Sequence, residues 1–403
     1  MRVPYRIYSD PAIYRAELER LFYGPHWHYV GIASEIPHAG DYKRIAIGER
    51  TVLLVRAGDG TAGVFLNRCA HRGVELCQQS SGHAKRIVCP YHQWSYDLRG
   101  RLTGVPFRNG VDGRGGFPAD FDTAENGLTP LVTHDVNGLI FASFDPSVSP
   151  FEEAIGPDIY PWLTRLFDGR EIRILGYQRQ RIACNWKLYM ENLKDSYHAT
   201  LLHVFLISFG LSRAGQNGVQ AQDARTYANS VATATRTAPD EHLGAESEMT
   251  SLRSSLELQD GRMMDAVKEF DDDATLAIAA IFPNIVFQQQ SNSLQIRHVI
   301  PLGPDAFELS WTYFGYADDD DAMIERRLAQ ANLTGAAGYI SVDDTEVLGF
   351  AGAGTRSVPG DSGLVALGGR DPIRTPENGK KTLSEVSIRG FYHHYFKEMD
   401  VPS

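Results

Sequence analysis

The sequence predicts an α+β protein in which an all-β domain is followed by a larger domain with an antiparallel sheet covered by helices. Two observations favour this fold class. Residues 38–144 carry short β-type runs separated by Gly-rich turns, whereas strand-like and helix-like segments are mixed beyond residue 151. The chain has 403 residues, of which 43% are apolar, and this is enough for two substantial cores.

Three segments follow from these changes in composition. We expect residues 1–37 to form an N-terminal helical segment that packs on the second domain, residues 38–150 to form the all-β domain, and residues 151–403 to form the second domain. The boundary lies at the linker-like sequence DPSVSP, residues 145–150. Within the all-β domain, the Gly-, Asp- and Asn-rich stretch 107–127 is expected to be a surface loop.

The clearest signals in the second domain are three strands and one helix. Partly alternating polarity and intervening turns predict successive antiparallel strands at 285–290, 294–300 and 307–314. An amphipathic helix is predicted at 322–333, where a preceding acidic run favours a helix N-terminus. Residues 214–272 are polar and weakly periodic, and we assign no element there.

Charge and hydropathy argue against two classes of partner. The formal net charge of −11 argues against nucleic-acid binding. No stretch reaches the roughly 18 apolar residues that a membrane span needs, and the start of the chain lacks a signal-peptide pattern. We therefore expect a soluble cytoplasmic protein that binds neither nucleic acid nor membrane.

Two mixed pairs of Cys and His carry the strongest chemical signal. Cys69 and His71 form the first pair, and Cys89 and His92 form the second. Two thiolates on one iron and two imidazoles on the other are the ligand set of a Rieske [2Fe-2S] cluster, which has a higher reduction potential than all-cysteine clusters. A structural zinc site is the alternative, but zinc motifs usually pair Cys with Cys and His with His.

A second pair of histidines, His198 and His203, lies five residues apart. On a straight helix these side chains point about 140° apart, so both can face one ion only if the helix ends or bulges between them. A carboxylate from a distant segment would complete a 2-His-1-carboxylate site for Fe(II), with open positions for dioxygen. Two structural or surface histidines are the alternative, but an upstream Rieske cluster needs an electron acceptor, which favours iron.

Both motifs stand in sequence frames that resemble a known family. NRCAHRG, starting at Asn67, and CPYHQWSYDLRG, starting at Cys89, are similar to the Rieske domain of aromatic-ring-hydroxylating oxygenases. The sequence NWKLYMENLKDSYHATLLH, residues 185–203, resembles the mononuclear-iron motif of the same family. Flanking segments are similar to large (alpha) subunits that act on monoaromatic carboxylates of the terephthalate and salicylate type. The resemblance implies a helix-grip-like catalytic domain.

The resemblance also implies a role for each matching residue. His198 and His203 become ligands of a mononuclear Fe(II), and Asp195 becomes the carboxylate that links this iron to a Rieske histidine across a subunit boundary. The third ligand is expected among the acids at 343, 344 and 346, and the family pattern uses the second acid of the pair, Asp344. The alternative is that these acids form a solvated helix face.

Two arginines are candidates for binding the substrate. A carboxylate that enters an apolar pocket needs a cationic partner, and the forked guanidinium of arginine is well shaped for it. Arg297 and Arg389 resemble basic positions of the terephthalate-type branch. The alternative for each is an internal ion pair or a surface position.

The resemblance implies the oxygenase component of a multicomponent enzyme that hydroxylates a monoaromatic carboxylate in aromatic catabolism with O2. NADH is expected to supply electrons indirectly, through a separate reductase with or without a ferredoxin. The implied assembly is a trimeric ring, often extended by a small β subunit to α3β3. Salicylate-type monohydroxylation is the alternative to cis-dihydroxylation, and a Rieske electron-transfer protein without oxygenase activity is a more remote alternative.

Overall fold

The computed structural model describes residues 1–209, 218–235, 259–371 and 383–400. The chain forms two compact units. The first unit is Phe22–Ser149, and the second unit combines Met1–Leu21 with Pro150–Ser403. No helix within the described ranges is long and apolar enough to cross a membrane.

The secondary-structure elements are numbered along the chain. The described strands are β1 Arg2–Pro4, β2 His28–Ile32, β3 Asp41–Ile47, β4 Arg50–Arg56, β5 Ala62–Leu66, β6 Ser81–His83, β7 Ile87–Val88, β8 Ser95–Tyr96, β9 Leu102–Gly104, β10 Val132–Val136, β11 Leu139–Ser143, β12 Ile172–Ile182, β13 Gly218–Gln222, β14 Ser230–Ala234, β15 Leu276–Ile281, β16 Ile285–Gln290, β17 Ser293–Pro301, β18 Phe307–Tyr316 and β19 Ser362–Leu364. The described α-helices are α1 Pro11–Glu17, α2 Phe151–Ile155, α3 Tyr160–Leu166, α4 Trp186–Asn192, α5 Ala199–Leu202, α6 Val204–Ser208, α7 Asp321–Thr334, α8 Tyr339–Ser357 and α9 Val386–Met399.

The first unit is all-β, as the sequence predicts. Its strands form three antiparallel sheets with the orders β5-β4-β3-β6, β7-β8-β9 and β10-β11-β2. Strands from the first two sheets share a hydrophobic core that includes Leu53, Val55, Trp94 and Tyr96. The stretch 107–127 contains no strand and only one short 3-10 turn, so it is irregular, as expected from its composition.

The sequence GDGTAG, residues 58–63, has the spacing of a dinucleotide-binding fingerprint. In the structure it forms the hairpin turn between β4 and β5, where Gly60 adopts a positive φ of 84°. A dinucleotide fingerprint needs a helix directly after the strand, because the helix N-terminus binds the pyrophosphate. This turn leads into a strand and lacks that context.

The predicted boundary at residue 37 differs from the boundary of the compact units. Residues 22–37 belong to the first unit because β2 forms the edge of a sheet with β11, in the register Tyr29 with Phe141 and Ile32 with Leu139. Of the predicted N-terminal segment 1–37, residues 1–21 belong to the second unit and residues 22–37 to the first. Such pairing joins residues more than 100 positions apart, and local sequence patterns do not reveal it.

The second unit is built on one seven-stranded antiparallel sheet, β12-β18-β17-β16-β15-β14-β13. The three predicted strands are β16, β17 and β18, paired through Phe287 with Ile296 and Ile296 with Thr312. Helices α4 and α7 pack near β17, α8 near β12 and α9 near β13. The predicted α+β class, with an antiparallel sheet covered by helices, is confirmed.

Two stretches show how the predicted elements compare with the structure. The predicted helix at 322–333 is α7, and its N-terminus is capped by the Asp320 side chain, which accepts a hydrogen bond from Met323 N. Within 214–272, where no element was assigned, the described residues form β13, β14 and a short 3-10 turn at Arg262–Met264. The remainder of that stretch lies partly outside the described residues.

A buried carboxylate, Glu17, ties the N-terminal residues to the rest of the second unit. It accepts hydrogen bonds from Trp186 Nε1 at 2.9 Å, Lys187 Nζ at 2.5 Å and Tyr395 OH at 2.5 Å. The Glu17 and Lys187 side chains are both fully buried. Burial lowers the pKa of Lys187, and the negative charge of Glu17 opposes that shift. Each of these charges therefore depends on the other for its stability inside the protein.

We expect Glu17→Gln to destabilise the second unit by about 3–5 kcal/mol, because it leaves the Lys187 ammonium buried without its counter-charge. Tyr395→Phe, which removes one hydrogen bond and keeps the charge pair, should cost only about 1 kcal/mol. The measurement is the shift of the urea unfolding midpoint for both variants. Equal losses of unfolding free energy in the two variants would show that the Glu17–Lys187 charge pair contributes no more than one hydrogen bond.

Candidate metal centres and active-site cavity

The two Cys-His pairs lie on two similar loops of the first unit. Cys69 N donates to Val74 O, and Cys89 N donates to Trp94 O, both at 2.8 Å, so each loop closes back on its cysteine. Gly73 and Gln93 each donate their N–H to the carbonyl of the cysteine and each adopt a positive φ. Both cysteines are buried in the core of this unit.

The histidines of the two loops lie side by side. The ring centroids of His71 and His92 are 4.7 Å apart, and His71 stacks on Trp94 with an interplanar angle of 7°. His71 Nδ1 is buried, and no described residue hydrogen-bonds to it. Burial lowers the pKa of His71, with further contributions from His92 and Arg72, so the neutral, metal-binding imidazole is favoured. An orphaned imidazole nitrogen, on a loop whose cysteine is also buried, fits a group with mixed Cys and His ligands.

Tyr96 contacts this site through its hydroxyl group. Its oxygen lies 3.2 Å from Cys69 Sγ and accepts a hydrogen bond from Ala70 N at 3.1 Å. Because the Ala70 N–H donates to this oxygen, the hydroxyl hydrogen is free to point at the sulfur. Burial raises the pKa of Tyr96, so the phenol stays protonated and remains a donor.

We expect Tyr96→Phe to lower the reduction potential of a cluster held at Cys69, because hydrogen bonds to sulfur stabilise the more negative, reduced state. One such bond is worth about 1 kcal/mol, which corresponds to about 40 mV for a single electron. A redox titration followed by electron paramagnetic resonance measures this shift. Tyr91→Phe is the control, since Tyr91 is exposed; equal potentials in both variants would show that the Tyr96 hydroxyl does not bond to the sulfur.

The second candidate centre brings together His198, His203 and Asp344. One ligand atom from each of the three lies within 4.8 Å of the other two. His198 directly precedes helix α5 and His203 directly follows it, so the helix ends between the two rings, as the five-residue spacing requires. Asp344 Oδ1 lies 3.6 Å from His198 Nε2 and 3.5 Å from His203 Nε2. Two imidazoles and one carboxylate fit an iron site with open positions.

Asp344 is the inward-facing acid of helix α8. Its side chain is 9% exposed, whereas that of the neighbouring Asp343 is 38% exposed, and Glu346 lies on the exposed face. Asp344, the acid predicted from the sequence, is therefore the one of the three that points at both histidines. Glu346 lies on a solvated helix face, which was the alternative for these acids. Asp343 does so only partly, because its Oδ2 lies 3.4 Å from His203 Nδ1.

The outer nitrogens of the two histidines each face a carboxylate. His198 Nδ1 lies 3.1 Å from Asp195 Oδ2, and His203 Nδ1 lies 3.4 Å from Asp343 Oδ2. This arrangement directs the Nε2 atoms inward and is typical of metal-binding histidines. Burial opposes protonation of His198, but the hydrogen bond that His198 donates to Asp195 and the charge of Asp344 raise the pKa of His198. Burial lowers the pKa of His203.

Two residues at this centre were not assigned a role from the sequence. Asn192 Nδ2 donates to Asp344 Oδ1 at 3.1 Å and lies 3.4 Å from His198 Nε2. Asn192 precedes Asp195 by three residues and His198 by six, but α4 ends at Asn192, so the contacts of Asn192 arise from the irregular segment that follows and not from a shared helical face. Asp343 was visible as the neighbour of Asp344, but its contact with His203 is a tertiary feature.

A cavity of about 190 Å³ opens next to this centre. Nine of its twenty described lining residues are apolar and eleven are polar or charged, and they come from α4 to α8, from the sheet and from the connections between these elements. These residues are Asn192, Leu193, Asp195, His198, Ala199, His203, Leu206, Ala234, Met264, Thr275, Leu276, Ile278, Gln288, Gln290, Ser291, Arg297, Leu333, Thr334, Ile340 and Asp344.

Arg297 reaches this cavity from strand β17 as a buried cation. Its Nη1 donates to Tyr189 OH at 3.1 Å, its Nη2 donates to Gln288 Oε1, and its guanidinium lies over the Trp311 ring at 4.5 Å from the centroid. Arg297 Nε is buried, and none of the described residues accepts its hydrogen. Within the described part of the chain, no carboxylate forms a salt bridge with Arg297.

Arg389 differs from the prediction that it binds substrate. It is not among the described residues that line the cavity. Its guanidinium donates from Nε to Asp371 O at 2.7 Å and from Nη1 to Leu367 O at 2.9 Å. These contacts connect α9 to the backbone at Leu367 and Asp371, whereas Arg389 Nη2 is buried without a described hydrogen-bond partner.

Comparisons with known proteins agree with both centres. A family model of the Rieske [2Fe-2S] domain matches residues 26–113, and a model of the ring hydroxylating alpha subunit catalytic domain matches residues 168–400. The chain belongs to the Rieske ring-hydroxylating oxygenase alpha subunits. Membership confirms the predicted family and excludes both the zinc site and the pure electron-transfer protein. The cofactors of this alpha subunit are therefore a Rieske [2Fe-2S] cluster and a mononuclear iron.

Several relatives are similar to this alpha subunit over nearly its whole length. It is 44% identical to the salicylate 5-hydroxylase large oxygenase component of Ralstonia sp, over 99% of this chain and 94% of the relative. It is 41% identical to the anthranilate 1,2-dioxygenase large subunit of Burkholderia cepacia, over 99% and 93%. The terephthalate 1,2-dioxygenase terminal oxygenase component subunit alpha 2 of Comamonas sp is 39% identical, over 99% and 95%.

A solved structure shares the fold of this alpha subunit. Naphthalene 1,2-dioxygenase from Rhodococcus sp., bound to indole, superposes with a TM-score of 0.80 at 24% identity, and the match covers 100% of this chain and 95% of that one. At this level of identity, the likeness shows the fold alone.

Proposed function

We propose that this alpha subunit hydroxylates a monoaromatic carboxylate whose carboxylate group binds to Arg297. The observation that carries the proposal is a buried guanidinium on the same cavity as His198, His203 and Asp344, with only neutral described hydrogen-bond partners. A buried charge without a counter-charge is strongly unfavourable. A substrate carboxylate would supply the missing negative charge and form charge-assisted hydrogen bonds with the free edge of the guanidinium.

The size and lining of the cavity favour a single aromatic ring. A protein cavity of about 150 Å³ is known to hold benzene, and the cavity here measures about 190 Å³. Leu193, Leu206, Leu276 and Ile278 are among the apolar residues that line it. Such a surface excludes water and contacts the faces of a ring, while Arg297 fixes the direction of its carboxylate.

We assign the metal ligands as the sequence predicts. Cys69, His71, Cys89 and His92 would hold the cluster, and the three residues of the second centre would hold the iron. When bound, the cluster would supply single electrons and the iron would supply activation of dioxygen for attack on the ring. The protein contributes fixed ligand orientation, through the carboxylates that face the outer histidine nitrogens.

The electrons are proposed to come from NADH through a separate reductase, with or without a ferredoxin. The hairpin at 58–63 lacks the strand-to-helix context of a dinucleotide site, which is consistent with a donor on another protein. The relatives named above are large or alpha subunits or terminal oxygenase components. We accordingly propose further components for this protein, including a small β subunit, and a cytoplasmic location where NADH is produced.

A trimeric ring is proposed because exposed apolar side chains lie beside both candidate metal centres. Tyr91, next to His92 in the first unit, is 59% exposed. Tyr197 and Leu201, next to Asp195 and His198 in the second unit, are 46% and 43% exposed. Single exposed apolar residues are common on proteins, so the support comes from their position beside the two centres. A head-to-tail ring would bury both surfaces by placing each cluster beside the iron of the next subunit.

Asp195 would connect the two centres across that interface. We expect Asp195→Asn to lower steady-state turnover at least about 100-fold, because the amide removes the charge that holds His198 and would hold a Rieske histidine. Excess Fe(II) is supplied so that weaker iron binding cannot account for the loss of turnover. Two quantities are measured in the variant: steady-state turnover and reduction of the cluster by dithionite. Turnover should fall, while reduction by dithionite should stay normal. Turnover at the wild-type rate would refute the role of Asp195.

The experiment that tests the proposal is reconstitution of the complete alpha subunit with a reductase, a ferredoxin and NADH against a panel of aromatic acids. Product formation from at least one acid, and none from the matching neutral amides, is the expected result. Products from neutral arenes only would overturn the proposal. Monohydroxylation remains the second candidate reaction, because the salicylate 5-hydroxylase component is among the most similar relatives, and the number of new oxygens in the product distinguishes it from dihydroxylation.

A further inference from the structure

The active-site cavity has a second polar end, where strand β16 finishes. In the register of β16 and β17, Arg297 is paired with Val286, and Gln290 lies four residues further along β16 on the same face. Both residues line the cavity, and Gln288 connects them: its Oε1 accepts a hydrogen bond from Arg297 Nη2, and its Nε2 donates to Gln290 Oε1 at 3.5 Å. A ring whose carboxylate binds Arg297 therefore has a neighbouring substituent within reach of Gln290.

This second end, formed by Gln290 and Ser291, has unused hydrogen-bonding groups. The one side-chain hydrogen bond of Gln290 within the described ranges is accepted from Gln288 Nε2 at a long 3.5 Å. Gln290 Nε2 donates to no described residue. The Ser291 backbone is bonded to Thr275 O and Gln289 Nε2, but no described residue bonds to the Ser291 hydroxyl. An amide and a hydroxyl together offer both donors and acceptors to a ligand.

The described residues of the same end carry no positive charge. Among the described residues that line the cavity, Arg297 is the one Lys or Arg. A second carboxylate placed against neutral amide and hydroxyl groups would lose its hydration without gaining a counter-ion. A neutral substituent loses far less hydration and can form hydrogen bonds with the same groups.

We propose that Gln290 and Ser291 form a specificity subsite for a neutral hydrogen-bonding substituent, a hydroxyl or an amino group, on an aromatic monocarboxylate. The subsite selects against benzenedicarboxylates. This inference rests on the proposed anchoring of the substrate carboxylate by Arg297. It adds to that proposal the chemical class of the second substituent and the residues that recognise it.

The test is direct binding to the full-length, iron-loaded protein under anaerobic, non-reducing conditions, measured by calorimetry. The probes are benzoate, the three hydroxybenzoates, the three aminobenzoates and the three benzenedicarboxylates. We expect at least one hydroxy- or aminobenzoate to bind about tenfold more tightly than benzoate, because one neutral hydrogen bond corresponds to about that factor. Every dicarboxylate should bind at least about tenfold more weakly than that best ligand.

Two variants of Gln290 make the test specific. Gln290→Leu should reduce the preference for the best ligand over benzoate from about tenfold to about twofold, because it removes the amide and keeps a similar volume. Gln290→Lys should raise the affinity of at least one dicarboxylate about tenfold, and this gain cannot result from misfolding. Gln79→Leu is the matched control, since it makes the same chemical change at an exposed position outside the described cavity lining and should leave the ligand ratios unchanged.

The outcomes separate this inference from the proposed function. If a dicarboxylate binds as tightly as the best hydroxy- or aminobenzoate, or if Gln290→Leu leaves the preference intact, the subsite is refuted while Arg297 anchoring stands. If no aromatic acid binds, the proposed function itself fails.

Discussion

Replacement of Asp344 by alanine is expected to remove the mononuclear iron and leave the Rieske cluster intact. Changes in residues that only orient metal ligands typically cost 10- to 100-fold in metal affinity. Loss of a direct ligand should therefore cost at least about 100-fold, and turnover should fall by a similar factor. Asp344 is the residue whose Oδ1 lies within 3.6 Å of both histidine Nε2 atoms. Iron analysis and the visible absorption of the cluster measure the two centres separately.

Asp343→Asn is the matched control for this prediction. It removes the same charge from the neighbouring position of the same helix, but it affects only the outer contact with His203 Nδ1 at 3.4 Å. We expect about a tenfold loss of iron affinity in this variant. Full iron retention in Asp344→Ala, or equal losses in the two variants, would show that Asp344 is not the ligand.

Replacement of Arg297 by methionine is expected to weaken binding of the aromatic acid at least about 30-fold. Truncation of one partner in a buried, hydrogen-bonded charge pair costs about 2–5 kcal/mol, and each 1.4 kcal/mol is a factor of ten. Methionine keeps much of the volume and the apolar contact with Trp311 but has no positive charge. The dissociation constant is measured for the acid and for its neutral amide, and only the acid should lose affinity.

The thermal stability of the same variant distinguishes a binding role from a structural one. Arg297 has no described carboxylate partner, so in the free protein its buried charge is not compensated. Removal of such a charge is often neutral or stabilising. We therefore expect a melting temperature that is no lower than that of the wild type. A large loss of stability, with equal loss of affinity for the acid and the amide, would assign Arg297 to the structure of the sheet.

Much of the fold could be predicted because its signals are local. The strands β16, β17 and β18 show alternation and turn residues, and α7 follows an acidic cap. The pairing of β2 with β11 could not be predicted, since its partners are distant in sequence. The predicted boundary at residue 37 therefore lies further along the chain than Phe22, where the first compact unit begins.

The candidate metal residues were more predictable than the rest of the site. Ligand chemistry restricts the residue types, and the spacing of His198 and His203 required the helix end that α5 provides. Arg297 and Arg389 looked alike in sequence, and only tertiary structure separates a cavity cation from one bound to backbone carbonyls. The proposed role of Gln290 had no sequence signal, because Gln290 lies in a strand that is largely buried on both faces and therefore shows no simple alternation.

The most direct test of the central claim is a single turnover without partner proteins. The full chain, loaded with cluster and iron and chemically reduced, is exposed to ¹⁸O-labelled dioxygen in the presence of a hydroxybenzoate or aminobenzoate. We predict labelled hydroxylated product in the wild type, with one labelled oxygen for monohydroxylation or two for cis-dihydroxylation, and none in Asp344→Ala. Unlabelled product, or no product from any aromatic acid while a neutral arene is hydroxylated, would contradict an oxygenase that acts on aromatic carboxylates.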